Sequence, residues 1–405
     1  VAKRRYDPDR DRVRMPIELI NIANNGGYSF ESIVEAWGRS LGGKSTVGYQ
    51  GAEYFLEDYA GQARVLILNA ENAVNHNRLK MVFHIDTRGD PRVVVRPAFT
   101  IEQANDTLLR QAQECREQNL FLYGIWDSIT ASSFKRAYEA IQKSLDADEG
   151  KEKTEKEEKL GDRGATEPLA KAQVMRWCLN NVLHAMYGRP FFLFLINQAT
   201  TKVNQFQASV SSAGGFALQH NANERIRIEK FKTIGGDSPN AIYKTGTMSH
   251  VTVEKSRNIP YFQDVPIIID DTAGGRIVPE NELPLVAVRF GVLSTARESP
   301  GWYSVTDAAP AALRKKWSLR DVMASPDMLA YLRRAITAEL RVKFKLVDYS
   351  YALLGGGGAV DRETGEVSEI DTGEQLYAGN GGAAGGKPKA KKAKPKPKFR
   401  MGATT

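Results

Sequence analysis

The sequence predicts an α/β fold built on a largely parallel central sheet, and two observations carry that prediction. Short apolar runs suited to strands recur at residues 32–37, 64–69, 120–127, 191–197, 225–230, 250–255 and 265–270. Helix-compatible stretches at 46–59, 101–117 and 169–187 separate several of them. Strands and helices that alternate in this way need crossover connections, which favour parallel pairing.

Taken in chain order, residues 1–16 are polar and charge-rich and are expected to form an arm or a frayed start. A globular core is expected over residues 17–275. Within it, residues 144–167 mix nine acids with four lysines and offer few apolar groups, so they predict a mobile loop. Residues 200–215, rich in Ser, Gln, Asn and Gly, predict a second polar loop between two strands. Beyond Pro310 the pattern is helical at 311–317, 318–323 and 328–345, and a small C-terminal subdomain is expected over 276–353. Residues 354–405 are Gly-rich and then Lys/Pro-rich, a composition expected to stay disordered. No internal repeat is present.

The chain has 405 residues, 42% hydrophobic and 26% charged, ordinary values for a globular protein. The apolar run at 191–196 is far too short to span a membrane, and the first residues lack the apolar stretch of a secretory signal. Cys115 and Cys178 lie in helical stretches without a CxxC partner and read as buried, reduced thiols of a cytoplasmic protein. The five histidines form no zinc-spaced cluster with them. The net charge is +8, and Lys387, Lys389, Lys391, Lys392, Lys394, Lys396, Lys398 and Arg400 supply that amount with no acid between them. The basicity belongs to the tail, and the folded body is close to neutral.

Gly38 to Ser45 reads Gly-Arg-Ser-Leu-Gly-Gly-Lys-Ser, the GxxxxGK[ST] pattern, between an apolar run and a helical stretch. In that context Gly38, Gly42 and Gly43 let the backbone turn its N–H groups toward phosphate. Lys44 adds a positive charge, Ser45 offers a hydroxyl to Mg²⁺, and Thr46 opens the helix. The alternative is a glycine-rich surface turn. The apolar run 120–127 ends in Asp127, suited to hold Mg²⁺ through water or, alternatively, to cap a helix. The run 64–69 is followed by Glu71, placed to polarise a water or simply to be solvated. The run 191–197 ends in Asn197 and Gln198, amides able to sense a terminal phosphate or to begin a turn.

The order of these motifs resembles RecA-type homologous recombinases, in particular the bacteriophage branch. The resemblance covers roughly residues 17–345. Gly26-Gly27 and Ile33-Val34-Glu35 lead into the 38–45 turn. Asn69-Ala70-Glu71-Asn72-Ala73, Trp126-Asp127-Ser128 and Leu160-Gly161-Asp162 follow. Then come Phe194-Leu-Ile-Asn197-Gln198, Gly214-Gly215-Phe216-Ala217-Leu218, Val253-Glu254-Lys255-Ser256-Arg257-Asn258 and Gly301-Trp302-Tyr303-Ser304.

The resemblance implies a P-loop ATPase core that binds ATP and Mg²⁺, with Ser45 and Asp127 at the metal and Glu71 as general base. Gln198 would couple the terminal phosphate to the loop behind it. Lys255 and Arg257 would act on the neighbouring subunit's nucleotide in a helical filament. Residues 199–213, with Lys202 and Phe206, and Gly214 and Gly215 beyond them, would form one DNA-binding loop. The stretch ending in Arg163 would hold another, and Lys171 and Arg176 would reach phosphates or else form a solvated helix face. Single-stranded and double-stranded DNA are the implied partners, in the cytoplasm of a bacterial or phage-infected cell. Phosphate contacts that leave base edges free suit strand exchange.

The chain departs from the family pattern in its charged first loop, its short arm before Ile17, the single cation of its second loop and its basic tail. Eight tail cations are expected to attract duplex DNA in a salt-dependent way, or else to aid solubility. A ring-forming helicase on the same core and a nonenzymatic, nucleotide-binding recombination mediator are the alternatives.

Overall fold

The computed structural model describes residues 4–72, 74–135, 137–139, 167–203, 208–212, 215–235, 244–258, 260–295, 302–307, 309–344, 359–360 and 367–368. The charged segment 144–166, with Arg163, the positions Phe206 and Gly214, and the Lys/Pro tail lie outside them.

The chain divides into two compact units, Val1–Gly356 and Gly357–Thr405. The first begins with β1 (Arg12–Val13), α1 (Glu18–Ala23), β2 (Tyr28–Ser29), β3 (Ser32–Gly38), α2 (Lys44–Asp58), β4 (Ala63–Asn69), α3 (His76–Phe83), β5 (Val93–Pro97), α4 (Ile101–Glu117) and β6 (Phe121–Asp127). It continues with α5 (Glu167–Met186), β7 (Phe191–Val203), β8 (Ala208–Ser212), α6 (Gly215–Asn221), β9 (Glu224–Ile234), β10 (Gly246–Lys255), β11 (Val265–Asp270) and β12 (Arg276–Ile277). It closes with α7 (Leu283–Arg289), β13 (Leu293–Thr295), β14 (Trp302–Val305), β15 (Trp317–Ser318), α8 (Leu319–Ala324) and α9 (Pro326–Phe344). In the second unit, β16 (Ala359–Val360) pairs antiparallel with β17 (Val367–Ser368), a short hairpin inside the segment expected to lack structure.

The central sheet has the order β12-β11-β10-β9-β3-β7-β6-β4-β5, with β8 paired to β7. Its middle is parallel, from β9 to β5. Strands β10, β11 and β12 add to one side in antiparallel fashion. The fold is therefore α/β with a mostly parallel sheet, and the runs at 250–255 and 265–270 are its antiparallel members. Side-chain alternation splits the core in two: Val34, Val65 and Ile67 face one layer, and Ile33, Leu66 and Leu68 face the other. Helix α2 covers the first face, and α4 and α5 the second.

Helix α4 matches the predicted span because its ends carry local signals. The Thr100 hydroxyl accepts from Gln103 N at 3.1 Å, and Gln103 Oε1 accepts from Phe99 N at 3.1 Å, a reciprocal cap. At its far end Asn119 takes the left-handed conformation (φ 50°), and Leu120 N donates to Cys115 O at 2.8 Å. Cys115 and Cys178 are free and buried, and burial pushes both thiols up to about 12.

Four expectations need correction. Residues 4–16 are not a free arm. Gln62 exchanges two hydrogen bonds with the Arg4 backbone (2.8 and 2.9 Å), Tyr6 stands edge-on to Phe30 and Phe121, and Val13 and Met15 are fully buried. The polar composition misleads because the few aromatic and apolar groups do the docking. Residues 200–215 are not one loop, since β7 runs on to Val203 and pairs with β8 as a hairpin. Its Ser/Thr-rich arms satisfy each other's backbone groups, which composition does not reveal. Finally, the 276 boundary cuts through the sheet, because Arg276 and Ile277 pair with β11. Likewise the stretch 311–317 is a 3-10 turn followed by β15.

The C-terminal helices dock on α1 through Glu282. Its buried carboxylate accepts from Glu18 N at 2.7 Å and Leu19 N at 2.9 Å. Burial pushes this carboxyl up to about 8, against the pull of the two N–H groups, and the Glu18 charge also raises it. The folded state thus keeps a proton that the unfolded chain, at its ordinary 4.5, has lost. Stability contributed here falls as pH rises through the window from 4.5 to about 8. Thermal melts across that window are expected to drift downward, and Glu282→Gln is expected to flatten the drift. An unchanged pH slope in the variant would remove Glu282 as its source.

Candidate functional site

Strand β3 is buried along its whole length and delivers Gly38 to the sheet's carboxyl edge. The loops that follow β3, β4, β6 and β7 open at that same edge, where open parallel sheets hold ligands. Gly38 has φ +148°, and a Cβ there would lie 2.1 Å from the carbonyl oxygen of Ile228. Only glycine lets the turn pass this strand. Gly43, at φ +99°, starts α2 with no side-chain cap, so the N-terminal N–H groups of a 15-residue helix are left to an incoming anion. Gly42, Lys44 and Thr46 are buried within this turn and first helical residues.

Lys44 folds back on the turn, and its Nζ donates to Gly38 O at 3.0 Å and Arg39 O at 2.7 Å. Burial lowers its pKa, while Asp127 and Glu71 pull it up. Asp127 ends β6. Burial raises its carboxyl, hydrogen bonds from Ser45 and Tyr49 lower it, and the nearby Glu71 charge raises it. The Tyr49 hydroxyl donates to Asp127 Oδ2 at 3.1 Å. Ser45 and Asp127 therefore share one spot beside Lys44, as the spacing predicts. Helix capping by Asp127 is not what is seen, and the peptide bond between Asp127 and Ser128 is cis.

Glu71 is exposed yet held. Its Oε1 accepts from the Ser128 hydroxyl and from Gln198 Nε2, the latter at 2.8 Å. The carboxylate is thereby fixed beside the tips of β6 and β7, and it is not a freely solvated strand-end acid. Gln198 does not begin a turn, because β7 continues into the hairpin. Asn197 faces away from this cluster. It is fully buried, its Nδ2 donates to Glu35 Oε1 at 2.7 Å, and its Oδ1 accepts from Thr130 Oγ1 at 2.8 Å.

Lys255 does not join this cluster within one chain. Its Nζ donates to Gln219 O (2.7 Å), His220 O (2.9 Å) and Ala222 O (2.7 Å), the carbonyls at the end of α6. Burial lowers its pKa, and the Arg257 and Arg225 charges add to that. Arg257 is exposed on the following turn, with its backbone N–H toward Glu224 Oε1 at 3.4 Å.

Lys171, on α5, donates to Thr130 O at 3.1 Å, and the Thr130 hydroxyl in turn accepts from Gln198 N at 3.1 Å. It is therefore tied to the turn beneath Gln198. Arg176 lies on the exposed face of α5. Lys202 sits in β7 opposite Ser209, and Gly215 starts α6.

Two contributors escape a motif-based reading, Tyr49 and Ser128. Tyr49 is four residues beyond Ser45 and so shares its helix face, a signal available from spacing. Ser128 follows Asp127 directly, and spacing alone gives it no role. Among the described residues, no group of three or more His, Cys, Asp or Glu side chains could hold a metal ion. No described helix is long and apolar enough to cross a membrane. No protein-family model and no curated protein sequence matches the chain.

Gly38→Ala tests the turn. The added methyl must displace the Ile228 backbone or the Lys44 anchor. Urea unfolding is expected to show a loss of about 1–3 kcal/mol, as for other overpacked, strained positions. Unchanged stability would mean the turn has room that its geometry denies.

Proposed function

We propose that the chain is an ATP-dependent DNA recombinase of the RecA type, which forms a helical filament on single-stranded DNA and promotes homologous pairing and strand exchange. One observation carries this reading: Glu71 is held by Gln198, and Gln198 lies on the strand that runs on into the hairpin at 199–212. The group that would act on a terminal phosphate is thus one hydrogen bond from the strand leading into the segment that would touch DNA.

The side chains fit the substrate. The uncapped start of α2 offers N–H groups to phosphate oxygens. Lys44 would exchange its two carbonyl partners for the β- and γ-phosphates. Ser45 and Asp127 supply two oxygen donors, few enough to suit Mg²⁺, which keeps several waters and binds through one or two protein oxygens and the phosphates. Bound there, Mg²⁺ would offset the charge that builds on the transferred phosphoryl group. Glu71 would take a proton from water as the water oxygen bonds to the γ-phosphorus and the bond to the bridging oxygen breaks, giving ADP and phosphate.

Lys255 and Arg257 complete the reading as cations offered to a neighbour's nucleotide. Drawing Lys255 toward that phosphate would strip three carbonyls at the end of α6, the helix that follows the hairpin. ATP at a subunit interface would then alter DNA affinity, and linkage requires DNA to alter ATP affinity equally. The near-neutral body and the tail cations leave the rest of the DNA attraction to local groups and to the tail.

Electron microscopy with single-stranded DNA and a slowly hydrolysed ATP analogue is expected to show open helical filaments. Closed rings would favour the helicase, and DNA-independent nucleotide binding without turnover would favour the mediator. Lys44→Ala is expected to abolish hydrolysis. Glu71→Gln is expected to bind nucleotide normally and to lower single-turnover hydrolysis by about 10²–10⁴-fold, the usual worth of a general base. Equal turnover in Glu71→Gln and wild type would remove Glu71 from that role.

A further inference from the structure

A buried ion pair crosses the sheet behind the site. Glu35, at the middle of β3, has 0% exposure and accepts from Arg225 Nε at 2.5 Å and from Asn197 Nδ2 at 2.7 Å. Arg225, near the start of β9, turns its Nη2 to Ser212 Oγ at 2.9 Å on the return arm of the hairpin. Its Nη1 lies 3.6 Å from Glu254, the residue before Lys255, and Glu254 also accepts from Trp37 Nε1 at 2.8 Å. One guanidinium therefore touches three neighbouring strands: the one that ends in the 38–43 turn, the hairpin arm and the strand of Lys255. Through Glu35 it also reaches Asn197, the neighbour of Gln198.

Burying two charges in a sheet is costly, and an apolar pair of similar volume would often be no less stable. What the ion pair adds is direction. The planar fork of arginine holds its partners at fixed angles, which lysine or an apolar side chain does not. Ser212 is the hairpin's contact with this fork, and the hydroxyl is itself buried.

We propose that Arg225 is a positioning residue that latches the return arm of the 208–212 strand to the nucleotide-binding strands, so that nucleotide binding raises DNA affinity. The proposal rests on the recombinase reading. The latch makes no contact with nucleotide or DNA. It sets where the hairpin stands when Gln198 moves.

Ser212→Ala removes one hydroxyl and leaves the Glu35–Arg225 pair in place. Ser212→Thr keeps the hydroxyl on a residue suited to a strand. Three quantities are read on the full chain. They are the affinity for a fluorescent ATP analogue without DNA, the affinity for a single-stranded oligonucleotide with and without a non-hydrolysed analogue, and amide exchange over 199–212. In Ser212→Ala the nucleotide affinity is expected to stay within about twofold. The nucleotide-induced gain in DNA affinity is expected to fall by about fivefold or more, within the range of ordinary coupling energies. The hairpin amides are expected to exchange faster, and Ser212→Thr is expected to restore both readouts.

A full nucleotide-induced gain in Ser212→Ala, with exchange unchanged, overturns the latch while leaving the recombinase reading intact. Wild-type protein whose DNA affinity ignores nucleotide overturns the recombinase reading, and with it any coupling role for Arg225. Arg225→Lys gives a second arm. It keeps a charge for Glu35 but loses the fork, and it is expected to behave as Ser212→Ala.

Discussion

Everything at the candidate site hangs from β3. The strand is buried on both faces and hydrogen-bonded to a parallel neighbour on each side, so it has no freedom to slide. A one-residue slip would exchange its two faces and carry Glu35 away from Arg225 and Asn197. That rigidity fixes where Gly38 emerges and how closely the turn passes the Ile228 carbonyl. The position of Lys44 and the axis of α2 follow from it. The helix is in turn pressed onto the sheet, with the Tyr123 hydroxyl donating to Gly48 O at 3.0 Å.

The candidate site gathers opposite charges, Lys44 with Asp127 and Glu71. Asp127 and Glu71 pull the Lys44 pKa up, and the Asp127 carboxyl is raised by the Glu71 charge and lowered by that of Lys44. Burial works against the charged forms of Lys44 and Asp127 alike. Such a cluster is suited to an incoming group that carries its own charges and can take over the lysine's two carbonyl contacts. The surrounding hydrogen bonds are directional: Tyr49 on one oxygen of Asp127, Ser128 and Gln198 on Glu71. They hold the carboxylates in place before any ligand arrives, so less ordering is left for the moment of binding.

Seven of the ten strands of the central sheet were legible because their apolar runs are short, continuous and bounded by polar residues, whereas β5, β8 and β12 were not read. Helix α4 was legible to the residue because Thr100 and Gln103 start it and Asn119 ends it. Lys44 and Ser45 could be placed because the 38–45 spacing on a strand–turn–helix unit has one geometry, and Asp127 because it ends an apolar run that is a strand of the same sheet. The N-terminal segment was not legible, since what binds it is a ring cluster assembled from Tyr6, Phe30, Tyr59 and Phe121, far apart in sequence. The hairpin was hidden for a similar reason. Polar strands pair through backbone groups, and Ser/Thr-rich arms look like a loop until the partner arm is found. The partners of Lys255 are backbone carbonyls, which carry no sequence signal at all. The Glu35–Arg225 pair joins positions 190 residues apart, beyond any local reading.

The two cysteines have a practical consequence. Both thiols sit inside the second core layer, and burial pushes them up to about 12, which disfavours the reactive thiolate at neutral pH. Both are therefore expected to react slowly with maleimide dyes under native conditions. A single cysteine introduced at an exposed position such as Tyr187 would take up one fluorophore in a background that does not compete. A fluorophore placed there would report on the folded protein without first replacing the two native cysteines.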